Sequence, residues 1–230
     1  DRVWTTRRRQ RTSRGGSGLK RSNDMYLFDM DGTLVDSTAV VESVWRDFCA
    51  EYGLDTQAVI AYAHGRQTID TLTHFIGAGE KTNKIAASLE EVEINMTEGV
   101  TEVKGAAALL SKLPPDSWAL VTSAGRMLAE NRMKAANLPL PIVMVCAEDV
   151  MTGKPSPEGY IKAALALGLE PGECVVFEDA SAGIKAGLAS GASVIAVQPD
   201  ALGSSEAHAV SKLSDIMVKI SGERFNIICG

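Results

Sequence analysis

Apolar positions along this chain fall into two alternating patterns. Continuous runs at 25–28, 118–121, 142–146, 174–177 and 194–197 span four or five residues each, as strands buried on both faces do. Between them the apolar residues recur at helical spacing. Val41, Val44, Trp45, Phe48, Cys49 and Tyr52 follow i, i+3, i+4, i+7, i+8, i+11, and Gly53 is a natural stop. The pattern predicts further helices at 56–63, 68–76 and 81–96. Another is expected at 106–113, stopped by Pro114-Pro115. Three more are expected at 126–136, at 157–167 before Gly168 and at 182–190 before Gly191. Strands alternating with helices of this length predict an α/β fold, a Rossmann-like parallel sheet flanked by helices. The all-helical stretch breaks the alternation after the first strand. A helical domain over 38–102 is therefore expected, inserted into a core domain of 25–37 and 103–230, with linkers at 35–39 and 99–105. The tail, 217–220 and 225–228, reads as a hairpin.

Chemistry-bearing residues gather where these strands end. The first strand runs into Asp29-Met30-Asp31-Gly32-Thr33. Side chains at i and i+2 leave a strand on one side, and two bare carboxylates there repel unless a cation or shared proton intervenes. A metal site, a nucleophile or a plain Asp-Gly turn would all account for the pair. The strand at 118–121 leads to Thr122-Ser123-Ala124-Gly125, the one at 142–146 to a loop with Gly153-Lys154-Pro155, and the one at 174–177 to Glu178-Asp179. Taken singly, Thr122-Ser123 is an ordinary helix cap, Lys154 a solvated lysine and Glu178-Asp179 an acid pair at a helix start. Parallel strands would bring all four to one sheet edge.

In that order, Asp29-Met30-Asp31-Gly32-Thr33, Thr122, Lys154 and Glu178-Asp179 resemble the four motifs of the haloacid dehalogenase superfamily, in its phosphatase branch. The resemblance runs from Met25 to about Gly222, and the inserted helical domain over 38–102 resembles the superfamily's helical cap domain. It implies Asp29 as nucleophile forming an aspartyl-phosphate and Asp31 as acid/base. It implies Thr122 as hydroxyl donor to the phosphoryl group, helped by backbone N–H groups at the helix start, and Lys154 as charge neutraliser. It implies Mg²⁺ as cofactor, held by Asp29, Glu178, Asp179 and the backbone carbonyl of Asp31. Dehalogenases of the superfamily lack the second acid of the first motif, so Asp31 favours phosphate chemistry. The segment His64-Gly65-Arg66-Gln67-Thr68-Ile69 is similar to the cap loop of the sugar and polyol phosphatases. By that likeness His64, Arg66, Gln67 and Ser123 are expected to face a small sugar or polyol phosphate. Alternatively, His64 merely ends its helix. Arg126, His74 and His208 read as helix-face residues, and Glu148, Asp149 and Glu158 as surface or capping groups. The alternative activity is a phosphomutase of the β-phosphoglucomutase type, whose cap arginine would fall at Thr68. A catalytically idle metal-binding protein on the same scaffold is the third reading.

Composition narrows the picture further. Of 230 residues, 45% are hydrophobic, ample for a core. No apolar run nears the ~20 residues of a membrane span. Cys49, Cys146, Cys174 and Cys229 are scattered, as buried thiols in a reducing cytoplasm are. Residues 1–24 carry eight basic and two acidic side chains, net +6, and the remainder 15 basic and 27 acidic, net −12, giving −6 overall. The acidic body argues against nucleic acid as partner. The basic arm is too polar to fold alone. It reads as a disordered or expression-derived extension, with Met25 a natural start. The expected protein is a monomeric cytoplasmic enzyme with no membrane or nucleic-acid partner.

Overall fold

The computed structural model describes residues 2–3, 25–197, 208–210, 213, 216–221 and 224–229, with side chains over 25–197 and at Leu213. In chain order the elements are β1 (Arg2–Val3), β2 (Met25–Phe28), β3 (Val35–Asp36), α1 (Thr38–Tyr52), α2 (Thr56–Ala63), α3 (Thr68–Ile76) and α4 (Glu80–Asn95). There follow β4 (Thr101–Glu102), α5 (Ala106–Leu110), β5 (Trp118–Val121), α6 (Arg126–Ala135), β6 (Val143–Val145), α7 (Glu158–Ala166), β7 (Cys174–Glu178), α8 (Ser181–Ser190) and β8 (Ser193–Val197). The chain closes with β9 (His208–Val210), β10 (Ile216–Ser221) and β11 (Arg224–Cys229).

Six strands form one sheet in the order β6-β5-β2-β7-β8-β9, every pair parallel. The alternation of side chains explains why the strands read as continuous apolar runs. Tyr26, Phe28, Trp118, Leu120, Val175 and Phe177 face one buried cluster. Their neighbours Met25, Leu27, Ala119, Val121, Cys174 and Val176 face another on the opposite side. Phe28 and Phe177 stack at 4.7 Å between ring centres. Each such fully buried ring adds roughly 1.5–3 kcal/mol over an exposed one.

The sheet order reverses about β2. Its neighbours β5 and β7 connect in opposite directions, which opens a crevice beyond its carboxyl end. Asp29 is the next residue, and its N–H bonds Phe177 O at 3.0 Å.

The insertion after β2 is helical. Trp45, Phe48, Cys49, Val59 and Leu72 from α1, α2 and α3 form a third buried cluster, with α4 packed against it. Gly53 ends α1 at φ 65°, its N–H bonding Cys49 O, and Asp55 caps α2 through the N–H groups of Gln57 and Ala58. The two chain crossings between this cap and the core pair with each other, β3 against β4. Helix α5 stops at Leu110, sooner than the apolar pattern suggests, because Lys112 and Leu113 turn to i−3 carbonyls ahead of Pro114.

The tail hairpin is present as β10 and β11, with Ser221 opposite Arg224. Two features differ from the sequence reading. His208 lies on β9, not on a helix; pairing with the open edge of β8 decides the matter. Arg2 and Val3 of the basic arm pair with Cys229 and Ile228; residues 4–24 lie outside the described residues. Cys49, Cys146 and Cys174 are buried, with no disulfide among the described residues. No helix among them is long and apolar enough to cross a membrane.

Candidate active site

The sheet edge collects the motif residues as the topology requires. Gly32 turns the chain after Asp31 at φ 85°, and a side chain there would collide with the Asp179 carboxylate. Only glycine fits both demands. Thr33, Leu34 and Val35 direct their N–H groups to Met30 O, which locks the loop.

Asp29, Lys154 and Glu178 form a buried triplet. Lys154 Nζ donates to Asp29 Oδ1, to Glu178 Oε1 at 2.7 Å and to Val121 O at 3.1 Å. Burial alone would lower the lysine pKa, but the Asp29 and Glu178 charges override it and hold the ammonium above its ordinary value. Glu178 is fully buried. It also accepts Tyr160 Oη–H at 2.7 Å and the N–H groups of Asp179 and Ala180. Those four bonds match a carboxylate's acceptor capacity. Burial, then the Glu178 and Asp29 charges, raise the Tyr160 pKa and keep that phenol a donor.

Side-chain oxygens of Asp29, Glu178 and Asp179 lie within 4.8 Å of one another. Burial first, and then the Glu178 charge, raise the Asp29 pKa well above the usual carboxylate value despite Lys154. Lys154 pairs with two of these three carboxylates, so the cluster keeps negative charge. That uncompensated charge, presented by hard oxygen donors, fits a divalent cation such as Mg²⁺. Asp179 has acceptor capacity left, its side chain meeting Thr33 Oγ1 at 3.0 Å and His64 Nε2 at 2.9 Å. Asp31 stands apart from this cluster. Ser37 Oγ donates to its Oδ1 at 2.6 Å and Arg132 Nη1 to its Oδ2 at 3.0 Å.

Above these groups lies a cavity of about 400 Å³ between core and cap. Asp29, Asp31, Thr122 and Ser123 form its floor, and Trp45, Ile60, Ile69 and Ala86 its apolar wall. Thr122 is buried, with its hydroxyl accepting Ala124 N–H at 3.1 Å. Two amides at the α6 start meet carboxylates of the protein. Glu90 of the cap accepts from Gly125 N–H at 2.9 Å, and Glu148 from Arg126 N–H at 2.9 Å.

All four residues expected to meet substrate line the cavity, but their polar ends have protein partners. Ser123 Oγ donates to Gly65 O at 3.0 Å, Gln67 Nε2 reaches Ala147 O at 3.4 Å, and Arg66 lies 4.5 Å over the Tyr62 ring. His64 does cap α2 through its N–H, but its ring reaches Asp179. Hydrogen bonding to Asp179 raises the His64 pKa.

Five residues at or beside the site escaped the sequence reading: Ser37, Glu90, Glu93, Arg132 and Tyr160. Arg132 is buried within α6 and holds Glu93 Oε2 of α4 at 2.7 Å as well as Asp31. Two signals were available. Arg132 interrupts the apolar stripe Leu128, Ala129, Met133, Ala136, and Glu93 continues the packed face Ala86, Leu89 of α4. Glu148, Asp149 and Glu158 cap loops and helix starts, and Arg126 pairs with Asp149.

Comparison with known proteins agrees with this geometry. The profile of the haloacid dehalogenase-like hydrolase family matches residues 26–197. Hexitol phosphatase A of Escherichia coli is 49% identical over 181 residues, covering 76% of this chain and 83% of its own. The 2-deoxyglucose-6-phosphate phosphatase 1 of Saccharomyces cerevisiae is 36% identical over 197 residues, covering 76% and 80%. Among solved structures, a hydrolase from Pseudomonas syringae superposes with a TM-score of 0.74 at 22% identity, covering 84% of this chain and 95% of that one. With the four strand-end motifs assembled around one cavity and a family match over most of its length, the chain belongs to the haloacid dehalogenase-like hydrolases.

Proposed function

We propose that this hydrolase is a Mg²⁺-dependent phosphatase of small sugar or polyol phosphates, working through an aspartyl-phosphate on Asp29. The carrying observation is Asp29, held by the buried Lys154, on the floor of a cavity that cap side chains roof. The names of the hexitol and deoxyglucose phosphate phosphatases support the substrate class.

In the first step an Asp29 oxygen attacks phosphorus and the bond to the sugar oxygen breaks. Asp31 supplies the proton that the leaving alkoxide needs. In the second, Asp31 takes a proton from water as it attacks phosphorus, and Asp29 leaves as carboxylate. Lys154 neutralises charge on the transferring group and holds Asp29 in place. Thr122 has its hydroxyl proton free to donate to a phosphoryl oxygen. Mg²⁺, held by Asp29, Asp179 and the Asp31 carbonyl with Glu178 behind them, would screen repulsion between carboxylates and phosphate.

The cavity wall favours neutral hydroxyls over a second phosphate. Glu42, Glu90 and Glu93 line it. Of the lining cations among the described residues, Arg132 is bound by two carboxylates and Arg66 packs on Tyr62. A mutase needs a cation for the second phosphate, and the position expected to supply it is Thr68.

The test is phosphate release from a panel of hexose, hexitol and glycerol phosphates with Mg²⁺, beside a chelated control and Asp29→Asn. Release from several polyol phosphates, abolished by chelation and by the substitution, is expected. Isomer interconversion without release would make the protein a mutase, and silence in both assays would return the non-catalytic reading.

A further inference from the structure

Asp31 is held at both oxygens, by Ser37 from the start of α1 and by Arg132 from α6. Arg132 is buried, with 3% of its side chain exposed, and its other nitrogen reaches the cap through Glu93, itself 8% exposed. Its Nε finds no partner. An arginine so placed is costly to bury, and the other buried positions of α6, Leu128, Ala129 and Met133, are apolar. The contacts near it show why the cap matters. Glu90 caps the α6 start, and Asn131 Nδ2 reaches Ile94 O at 3.1 Å. Helix α4 is thus held to α6 at three points, and the Glu93–Arg132 contact leads directly to Asp31.

We propose that Arg132 is a positioning residue that orients the Asp31 carboxylate toward the leaving-group oxygen, and that Glu93 ties this orientation to a seated cap. The guanidinium is planar and forked, so two carboxylates placed on it are fixed relative to each other. One comes from the catalytic loop and the other from the cap. When α4 lifts, Arg132 loses Glu93 and the constraint on Asp31 relaxes. Proton delivery is then confined to the state in which the cap roofs the cavity and water is excluded. Asp31 keeps a second lone pair on each oxygen for the reacting proton.

The inference rests on the phosphatase reading with Asp31 as acid/base, and leaving-group dependence separates the two. A poor leaving group needs the acid, whereas p-nitrophenolate departs without it. Phenyl and p-nitrophenyl phosphate have nearly the same shape, so a selective loss on phenyl phosphate reports proton delivery rather than binding. kcat/KM is measured for both with wild type, Asp31→Asn, Arg132→Lys, Arg132→Ala and the double variant Arg132→Met with Glu93→Leu. The double variant matters because replacing a buried ion pair by apolar residues preserves folding more often than removing one partner. Thermal midpoints are recorded alongside.

The expected result is a phenyl-selective loss on the order of 30-fold for Arg132→Ala and for the double variant, with under about 3-fold loss on p-nitrophenyl phosphate. Arg132→Lys, which reaches one carboxylate but not both, falls between. If Arg132→Ala does not fold, the double variant decides. A double variant with the wild-type ratio of the two rates overturns the proposal, as does an equal loss on both substrates. Selectivity in Asp31→Asn but not in the Arg132 variants sinks the inference and spares the phosphatase reading. No activity in wild type, or no selectivity in Asp31→Asn, sinks both.

Discussion

Lys154 illustrates how one side chain acquires meaning only in company. Alone in the sequence it is a loop lysine; folded, it is buried between Asp29 and Glu178. Its loop needs an anchor, and Glu158 supplies one. That carboxylate accepts the N–H groups of Met151 and Thr152 and pairs with Lys162 at 2.7 Å. The Lys162 bond, and then the two backbone bonds, lower its pKa from 4.5 to about 2. The charged form is therefore favoured by folding. Its stabilisation is present in full above pH 4.5 and is lost as the pH falls towards 2. Glu158→Gln should lower the thermal midpoint at neutral pH, with the gap to wild type closing as the pH drops through that window. A gap constant with pH would mean that the charge contributes nothing. Arg132 and Glu93 were not legible because apolar periodicity says which face is packed, not whether a polar residue on that face finds a partner. That depends on two helices far apart in sequence meeting.

At the scale of elements, the strands and helices were readable because each carries one clear period. The parallel strands are apolar on both faces, and α1, α3 and α8 end at glycines. What escaped was contact between elements. The loop between α2 and α3 is read from sequence as a substrate loop, yet it also seats the cap on the core. Gly65 has φ 75°, its carbonyl accepts from Ser123, and a Cβ there would lie 2.6 Å from that of Ala180. Gly65→Ala imposes about 1–2 kcal/mol of backbone strain and pushes the cap off Ala180. The expected loss in kcat/KM for a hexitol phosphate is about tenfold or more, with the core unfolding cooperatively as before. Unchanged kinetics would show that the close approach at Gly65 is not needed for closure. β9 was missed for a related reason: three residues have no period, and only the open edge of β8 makes them a strand.

At the scale of the molecule, the sheet order fixes where chemistry happens. The reversal about β2 places Asp29 where the crevice opens, and β5 and β7 bring Thr122 and Glu178-Asp179 to its two sides. The family motifs were legible because they sit at the ends of those strands. The cavity wall was not, because it is assembled from cap helices whose spacing reports only their own packing. The proposed chemistry rests on Asp29 becoming phosphorylated. The most direct measurement is rapid acid quenching during the first turnover with Mg²⁺ and a hexitol phosphate, followed by peptide mass mapping. A phosphoryl group on the Asp29 carboxylate, rising and decaying with product release, is the predicted result. First-turnover product with Asp29 unmodified throughout, or a phosphoryl group on another residue, would contradict it.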